Sequence, residues 1–354
     1  MRAVIVLFAT GLACQCASAQ APPARTHAEI IDFVVSAGLA VCESVPNAPD
    51  ARASAQGVIG KHLVEVAEDC ARRDAGNQRQ MIVRLHHGHR ALHRFHPGEG
   101  QHRQWPLPSD PGCIAPLPGG ALLLACRDGL WRFDPAGGER TLVAAPPYDP
   151  RHERFNDGKA DAAGRLWVST IYEPRDAARA RLYRHAGGRL EVMAEGFTVG
   201  NGLAFSPDGR TLYCSDTTSH RIFAFDFDGV EGRISQRRVL AHWTPKPSGP
   251  PLAGYGGRPD GAAVDAEGAL WVAMFEGQRL LRLAPDDGRV LQELALPVRC
   301  PTMPCFGGPD LRTLYITTAR DKRPAEELAA QPLAGRVLSL RVAVAGLPVN
   351  FARA

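Results

Sequence analysis

No Lys/Arg-rich stretch with interleaved aromatic residues occurs in this 354-residue chain, and its formal charge is only +4. The electrostatic footprint of a nucleic-acid binder is therefore missing. No apolar run reaches the ~20 residues that a membrane-spanning helix needs. The nine cysteines contain no C-x-x-C pair, and the seven that follow Cys14 and Cys16 are an odd number. Neither a zinc cage nor a disulfide framework is indicated. Cys126 and Cys214 lie in strand-like runs and read as small buried hydrophobes, while Cys300 and Cys305 are close enough in sequence to pair. Helical periodicity is scarce beyond residue 90. What is present is 45% hydrophobic and 22% charged residues, the composition of a soluble globular protein with a small-molecule partner.

The first twenty residues carry Arg2, an apolar run from Ala3 to Ala13 and a small-x-small ending at Ala17-Ser18-Ala19. Residues 1–19 thus read as a signal peptide, with a periplasmic or secreted location. The alternative is a misassigned start ahead of a cytoplasmic protein. Residues 20–85 form an atypical N-terminal region, in which "EIIDFVVSAGLAVCESV" and "KHLVEVAEDCARR" have the pattern of amphipathic helices. Residues 86–345 carry the repeats.

Two repeated elements organise that body. "APLPGGALLLAC", "NDGKADAAGRLWVST", "NGLAFSPDGRTLYCSD", "PDGAAVDAEGALWVAM" and "CFGGPDLRTLYITT" each place a turn before a run with a large residue: Leu123, Trp167, Tyr213, Trp271 and Tyr315. The intervals are 44, 46, 58 and 44 residues. The long one holds "TPKPSGPPLAGYGGR" (244–258), which reads as a lid with Gly249, Gly254, Gly256 and Gly257 as hinges. A second element, "ALHRF", "GLWRF", "RLYRH", "RIFAF", "RLLRL" and "RVLSL", alternates apolar and polar residues as half-buried strands do. Short strands at periods of roughly 40–50 residues mark propeller blades. The expectation is an all-β, six-bladed propeller with an irregular, incomplete first blade.

Loops at one end of a propeller face each other, so Asn156/Asp157, Asn201 and Asp260, at equivalent places in their repeats, converge on one opening. Amides and carboxylates together suit a hard divalent cation. Taken singly, Asn-Gly and Asp-Gly are turn formers. Arg154 fits a hydroxyl-rich or carboxylate ligand. Glu173 reads as a solvated loop residue, the "HHGHRALHRFH" run as an exposed basic loop, and Trp167 and Trp271 as blade core.

These segments resemble the signature segments of the senescence marker protein 30/gluconolactonase/luciferin-regenerating family, over about residues 90–342 and in the family's order. The resemblance implies a six-bladed propeller with one divalent cation (Ca, Zn, Mg or Mn) in the channel and hydrolysis of sugar lactones to aldonic acids. By position, it makes Asn201 and Asp260 metal ligands and Arg154 and Asn156 substrate contacts. Asp260 is the expected general base, with Asp157 as second choice. The family's third ligand, a glutamate in a G-E-x-P-x-W segment, has no counterpart here. Glu65 and Glu68 are the nearest candidates by spacing, and Glu43 lies too far upstream. Residues 26–84 are either a genuine replacement or a frame-shifted stretch. The alternatives are a non-catalytic or degenerate metal-binding propeller scaffold and a metal-dependent esterase or organophosphate hydrolase.

Overall fold

Alternating apolar and polar residues form strands along nearly all of the described chain. The structure is a computed structural model that describes residues 60–68, 79–86, 90–96, 101–249 and 254–354. The proposed leader, Glu43, Cys42 and Cys70, and the first expected helix lie outside the described residues.

The strands form antiparallel sheets in simple chain order. Each begins with an innermost strand: β1 (Gly60–Glu68), β5 (Pro111–Pro116), β9 (Glu153–Ala160), β13 (Gly200–Phe205), β17 (Arg258–Val264) and β21 (Pro301–Gly307). Second strands follow: β2 (Arg79–His86), β6 (Leu122–Cys126), β10 (Leu166–Tyr172), β14 (Thr211–Asp216), β18 (Leu270–Phe275) and β22 (Thr313–Thr318). Third strands are β3 (Ala91–His96), β7 (Gly129–Phe133), β11 (Ala180–Ala186), β15 (Arg221–Asp228), β19 (Arg279–Leu283) and β23 (Val337–Arg341). Outer strands are β4 (Gln101–Pro106), β8 (Arg140–Ala144), β12 (Arg189–Phe197), β16 (Arg233–His242) and β20 (Val290–Ala295). One helical turn, α1 (Ala325–Ala330), lies between β22 and β23. Each innermost strand touches the innermost strands of its two neighbours, and β1 meets both β5 and β21. The architecture is an all-β propeller.

The blade count differs from expectation. Five blades are complete with four strands, and among the described residues β21–β23 form a three-stranded sheet without an outer strand. The incompleteness falls on the last sheet and not the first. After β23 the chain does not turn back to pair. It first bonds the β21–β22 turn of its own sheet, where Gly346 N–H donates to Leu311 O, and then runs along earlier sheets, where Ala352 N–H donates to Pro116 O and Arg353 N–H to Gly164 O, at 2.7–2.8 Å. The second expected helix is also corrected, because its start forms β1, paired with β2 from Glu68 opposite Arg79 to Gly60 opposite His86. Val64 and Val66 favour a pleated surface once a partner strand is available, and tertiary pairing overrides a weak helical pattern.

The repeated elements have distinct places. The large residues Leu123, Trp167, Tyr213, Trp271 and Tyr315 all lie on second strands and are at most 2% exposed. The "GLWRF"-type elements are the third strands. Trp167 packs edge-to-face on Phe227 at 5.5 Å, and Trp271 on Phe306 of the next sheet at 6.0 Å. Both indoles donate Nε1–H to an aspartate in the preceding turn, Trp167 to Asp161 (3.0 Å) and Trp271 to Asp265 (2.8 Å). The other oxygen of each aspartate accepts two backbone N–H groups of its own turn. Asp161 thus builds a turn and no site. Cys300 and Cys305 are both free and buried, which corrects the pairing considered for them.

Candidate functional site at the channel mouth

A bulge interrupts the pairing of every innermost strand. It falls between Pro111 and Cys113 on β5, between Asn201 and Ala204 on β13, between Pro259 and Ala262 on β17 and between Pro301 and Met303 on β21. On β9 it falls opposite Val168 and Thr170, at Asn156 and Asp157. Such bulges re-aim side chains and are frequent beside functional sites. The glycine in each motif makes the bulge possible. A Cβ on Gly158 would lie 2.6 Å from Cys113 Sγ, on Gly202 2.8 Å from Asp260 O, and on Gly261 2.6 Å from Thr302 O. Each of these contacts lies on a neighbouring innermost strand, so the glycines set how closely the sheets approach round the axis.

The bulges bring Arg154, Asn156 and Asn201 into one hydrogen-bonded line. Arg154 Nη1 donates to Asn156 Oδ1 (3.2 Å), and Asn156 Nδ2 donates to Gly200 O (2.7 Å) and Asn201 Oδ1 (2.8 Å). Asn201 Nδ2 donates to Thr217 Oγ1, whose hydroxyl donates to Pro259 O, both at 2.7 Å. The line therefore crosses three blades and ends on the backbone next to Asp260. All five expected residues are buried: Arg154 4%, Asn156 0%, Asp157 2%, Asn201 3% and Asp260 4% exposed.

Asp157 is placed differently. Its Oδ1 accepts from its neighbour Gly158 N–H (2.8 Å) and its Oδ2 from Leu203 N–H on β13 (3.0 Å). Its carboxylate thus ties two blades together. Lys159, on the same strand, reaches Ala262 O of β17 at 3.4 Å, and burial pushes its pKa down. The His-rich run, expected to be an exposed loop, instead supplies β3, with Ala91 and Leu92 0% exposed, and its His93 Nδ1 lies 3.0 Å from Nε2 of His102 on β4.

Glu173, read from the sequence as a solvated loop residue, is on a loop but held by two arginines. It follows β10 and accepts from Arg154 Nε (3.1 Å) and, through both oxygens, from Arg127 (2.8 and 2.9 Å). Arg127 Nε in turn donates to Asp110 (2.8 Å). Burial works to raise the Glu173 pKa, but hydrogen bonding to Arg127 and the charge of Arg154 lower it overall. The signal available in sequence was only its distance past Trp167, and position on a loop does not reveal which arginines face it.

Amide and carboxylate oxygens from consecutive innermost strands fit a hard cation in kind. Among the described residues, however, no three His, Cys, Asp or Glu side chains come together as a metal cluster. Glu65 and Glu68 stand in the later part of β1, Glu68 at its last residue, whereas Asn156, Asn201 and Asp260 sit in the first halves of their strands. The backbone therefore places neither glutamate at the mouth.

Comparison with known proteins gives a consistent picture. Residues 87–320 match the SMP-30/Gluconolactonase/LRE-like region. The chain is 45% identical over 256 residues to a 6-deoxy-6-sulfogluconolactonase of Pseudomonas putida, covering 72% of this chain and 84% of that protein. It is 37% identical over 216 residues to regucalcin of Sus scrofa, covering 58% and 69% respectively. A solved structure of regucalcin from Agrobacterium tumefaciens, described as a calcium-binding protein, superposes with a TM-score of 0.74 at 27% identity, covering 84% of this chain and 97% of that one.

Proposed function

Because the chain belongs to the SMP-30/gluconolactonase/LRE-like family, we propose that it opens sugar lactones to aldonic acids at the channel mouth, with one divalent cation held by Asn201 and Asp260. It is a lactonase, a carboxylic ester hydrolase, by its kinship with the Pseudomonas enzyme. The observation that carries the reading is the buried line of hydrogen bonds from Arg154 to the backbone beside Asp260. It fixes the polar side chains before a substrate arrives, so little ordering entropy remains to be lost on binding.

A divalent cation on the amide and carboxylate oxygens would supply Lewis-acid polarisation of the lactone carbonyl. Regucalcin relatives and the calcium-binding neighbour support a metal of this class, Ca, Mg, Mn or Zn. Arg154 and Asn156 hydrogen-bond the sugar hydroxyls and set the ring's orientation. Asp260 takes a proton from the attacking water as its oxygen bonds to the carbonyl carbon. When the ring C–O bond breaks, that proton passes to the departing ring oxygen, leaving the open-chain acid.

The test is acid release from gluconolactone and related aldonolactones, with chelator and then with metal added back. Turnover is expected to vanish with chelator and to return with metal. Asp260→Ala is expected to lower kcat/KM by at least ~100-fold, the scale of a lost general base. Retained turnover in that variant would overturn the assignment of Asp260, and absence of turnover from the folded wild-type protein would overturn the lactonase reading.

A further inference from the structure

The first residue after the second strand has the same place in successive sheets: Arg127 after β6, Glu173 after β10, Thr217 after β14 and Glu276 after β18. The charged ones are spent on ion pairs round the rim. Arg127 and Glu173 bind each other, and Glu276 takes Lys246, Arg258 and Arg323 at 2.8–3.2 Å. Thr217 is the uncharged member, is buried, and stands where the line of hydrogen bonds passes from β13 to β17. Its own place is fixed. Thr217 N–H donates to Val199 O at 3.0 Å, and Asp216 Oδ1 accepts from the N–H groups of Thr198 and Val199.

Every bond in that line has a defined direction, because a guanidinium only donates and a backbone carbonyl only accepts. Arg154 turns Asn156 Oδ1 toward itself, and Gly200 O calls for Asn156 Nδ2. The same Nδ2 also donates to Asn201 Oδ1, so Asn201 Nδ2 faces Thr217. At the far end Pro259 O accepts the single Thr217 hydroxyl proton, and Thr217 Oγ1 receives the Asn201 amide. The position needs one group that donates and accepts at once. A carboxylate would leave Pro259 O without a donor, an arginine or lysine would leave the Asn201 amide without an acceptor, and a valine would do both. The ligands themselves depend on this. Asn201 Oδ1 accepts one hydrogen bond among the described residues and keeps its second lone pair, and Pro259 O belongs to the peptide that leads into Asp260.

We infer that Thr217 is a positioning residue of the cation site: through one hydroxyl it holds the Asn201 amide with its oxygen turned away from Thr217 and ties it to the strand that carries Asp260. This rests on the reading of Asn201 and Asp260 as metal ligands.

The experiment measures calorimetric binding of calcium, magnesium, manganese and zinc chlorides to the chelator-stripped full chain, in wild type, Thr217→Val and Thr217→Ser. Thermal midpoints and lactone turnover across a cation titration accompany it. Thr217→Val keeps the shape of the side chain and loses both hydrogen bonds, and it is expected to weaken cation binding at least about tenfold, the scale of lost outer-shell support for a metal ligand. Thr217→Ser keeps the hydroxyl and is expected to bind as wild type does. In turnover, Thr217→Val is expected to need about ten times more cation for half-maximal rate, with a much smaller loss of kcat at saturating cation. A purely structural role would lower the thermal midpoint without that shift. Wild-type cation affinity in Thr217→Val, or Thr217→Ser as weak as Thr217→Val, overturns the inference while leaving the ligand reading standing. A wild-type chain that binds none of these cations overturns the ligand reading and the inference together. Should Thr217→Val fail to fold, Thr217→Cys, a weaker donor and acceptor in the same place, takes its role: weakened binding supports the inference and wild-type binding overturns it.

Discussion

Asp157 and Asp260 occupy matching places in their repeats, yet the Asp157 carboxylate accepts backbone N–H groups of two blades, whereas Asp260 follows Pro259, on whose carbonyl the polar line ends. Residue type and spacing cannot distinguish them, because the donor that claims Asp157 belongs to Leu203, far along the chain. His185 shows the same dependence on surroundings. It lies on β11 with 0% exposure, and neither ring nitrogen has a hydrogen-bond partner among the described residues. Burial lowers its pKa from the ordinary value of 6.5. The unfolded chain therefore takes up a proton that the folded chain resists. Stability is full above about pH 6.5 and falls as pH drops toward the depressed native value. Denaturant midpoints measured between about pH 7.5 and 5.5 are expected to decline for wild type. The decline is expected to be shallower for His185→Leu, and an equal decline in both proteins would contradict the assignment.

At the scale of the element, the innermost strand owes its function to a bulge and the glycine beside it. Gly261 has its hypothetical Cβ 2.6 Å from Thr302 O and 2.7 Å from Met303 Sδ, so added bulk must push two blades apart. Gly261→Ala is expected to cost about 1–3 kcal/mol, as overpacking does, which would lower the thermal midpoint by several degrees. A variant as stable as wild type would mean that the strands yield at that point. The insertion at 244–258, read as a hinged lid, is fastened at several points. Lys246 binds Glu276, Tyr255 meets His220, and Arg279 Nε donates to Gly256 O at 3.1 Å. A Cβ on Gly257 would meet Gly277 N at 2.6 Å, so this glycine serves close packing against the β18–β19 turn as well as its positive φ of 86°.

For the whole molecule, closure of the ring matters more than any single sheet. The innermost strands touch in sequence round the axis, and the chain after β23 crosses back over sheets formed much earlier. Backbone bonds at Gly346, Ala352 and Arg353 join that segment to Leu311, Pro116 and Gly164. Ala352 is also wholly buried in the core between the second and third sheets. Deleting residues 346–354 is expected to lower stability by about 2–4 kcal/mol, from several lost hydrogen bonds at roughly 1 kcal/mol each and the lost burial of Ala352. Chemical denaturation would measure it, and an unchanged midpoint would show that the segment is not a fastening.

The sequence by itself determined the strand repeats, the turn before each second strand and the identity of the buried aromatic residues. Alternation of apolar and polar residues is a local property that a strand imposes with a period of two. It also placed Asn156, Asn201 and Asp260 at equivalent positions of successive repeats, and equivalent positions in neighbouring blades face one another round the axis. Tertiary structure alone decided the rest. It made β1 a strand by giving it β2 as a partner, left the last sheet at three strands, and turned Asp157 into a tie between blades. It also joined Glu173 to Arg154 and Arg258 to Glu276. Each of these depends on groups that lie on different strands or blades, and hydrogen bonds and charges act through space where sequence patterns act along the chain.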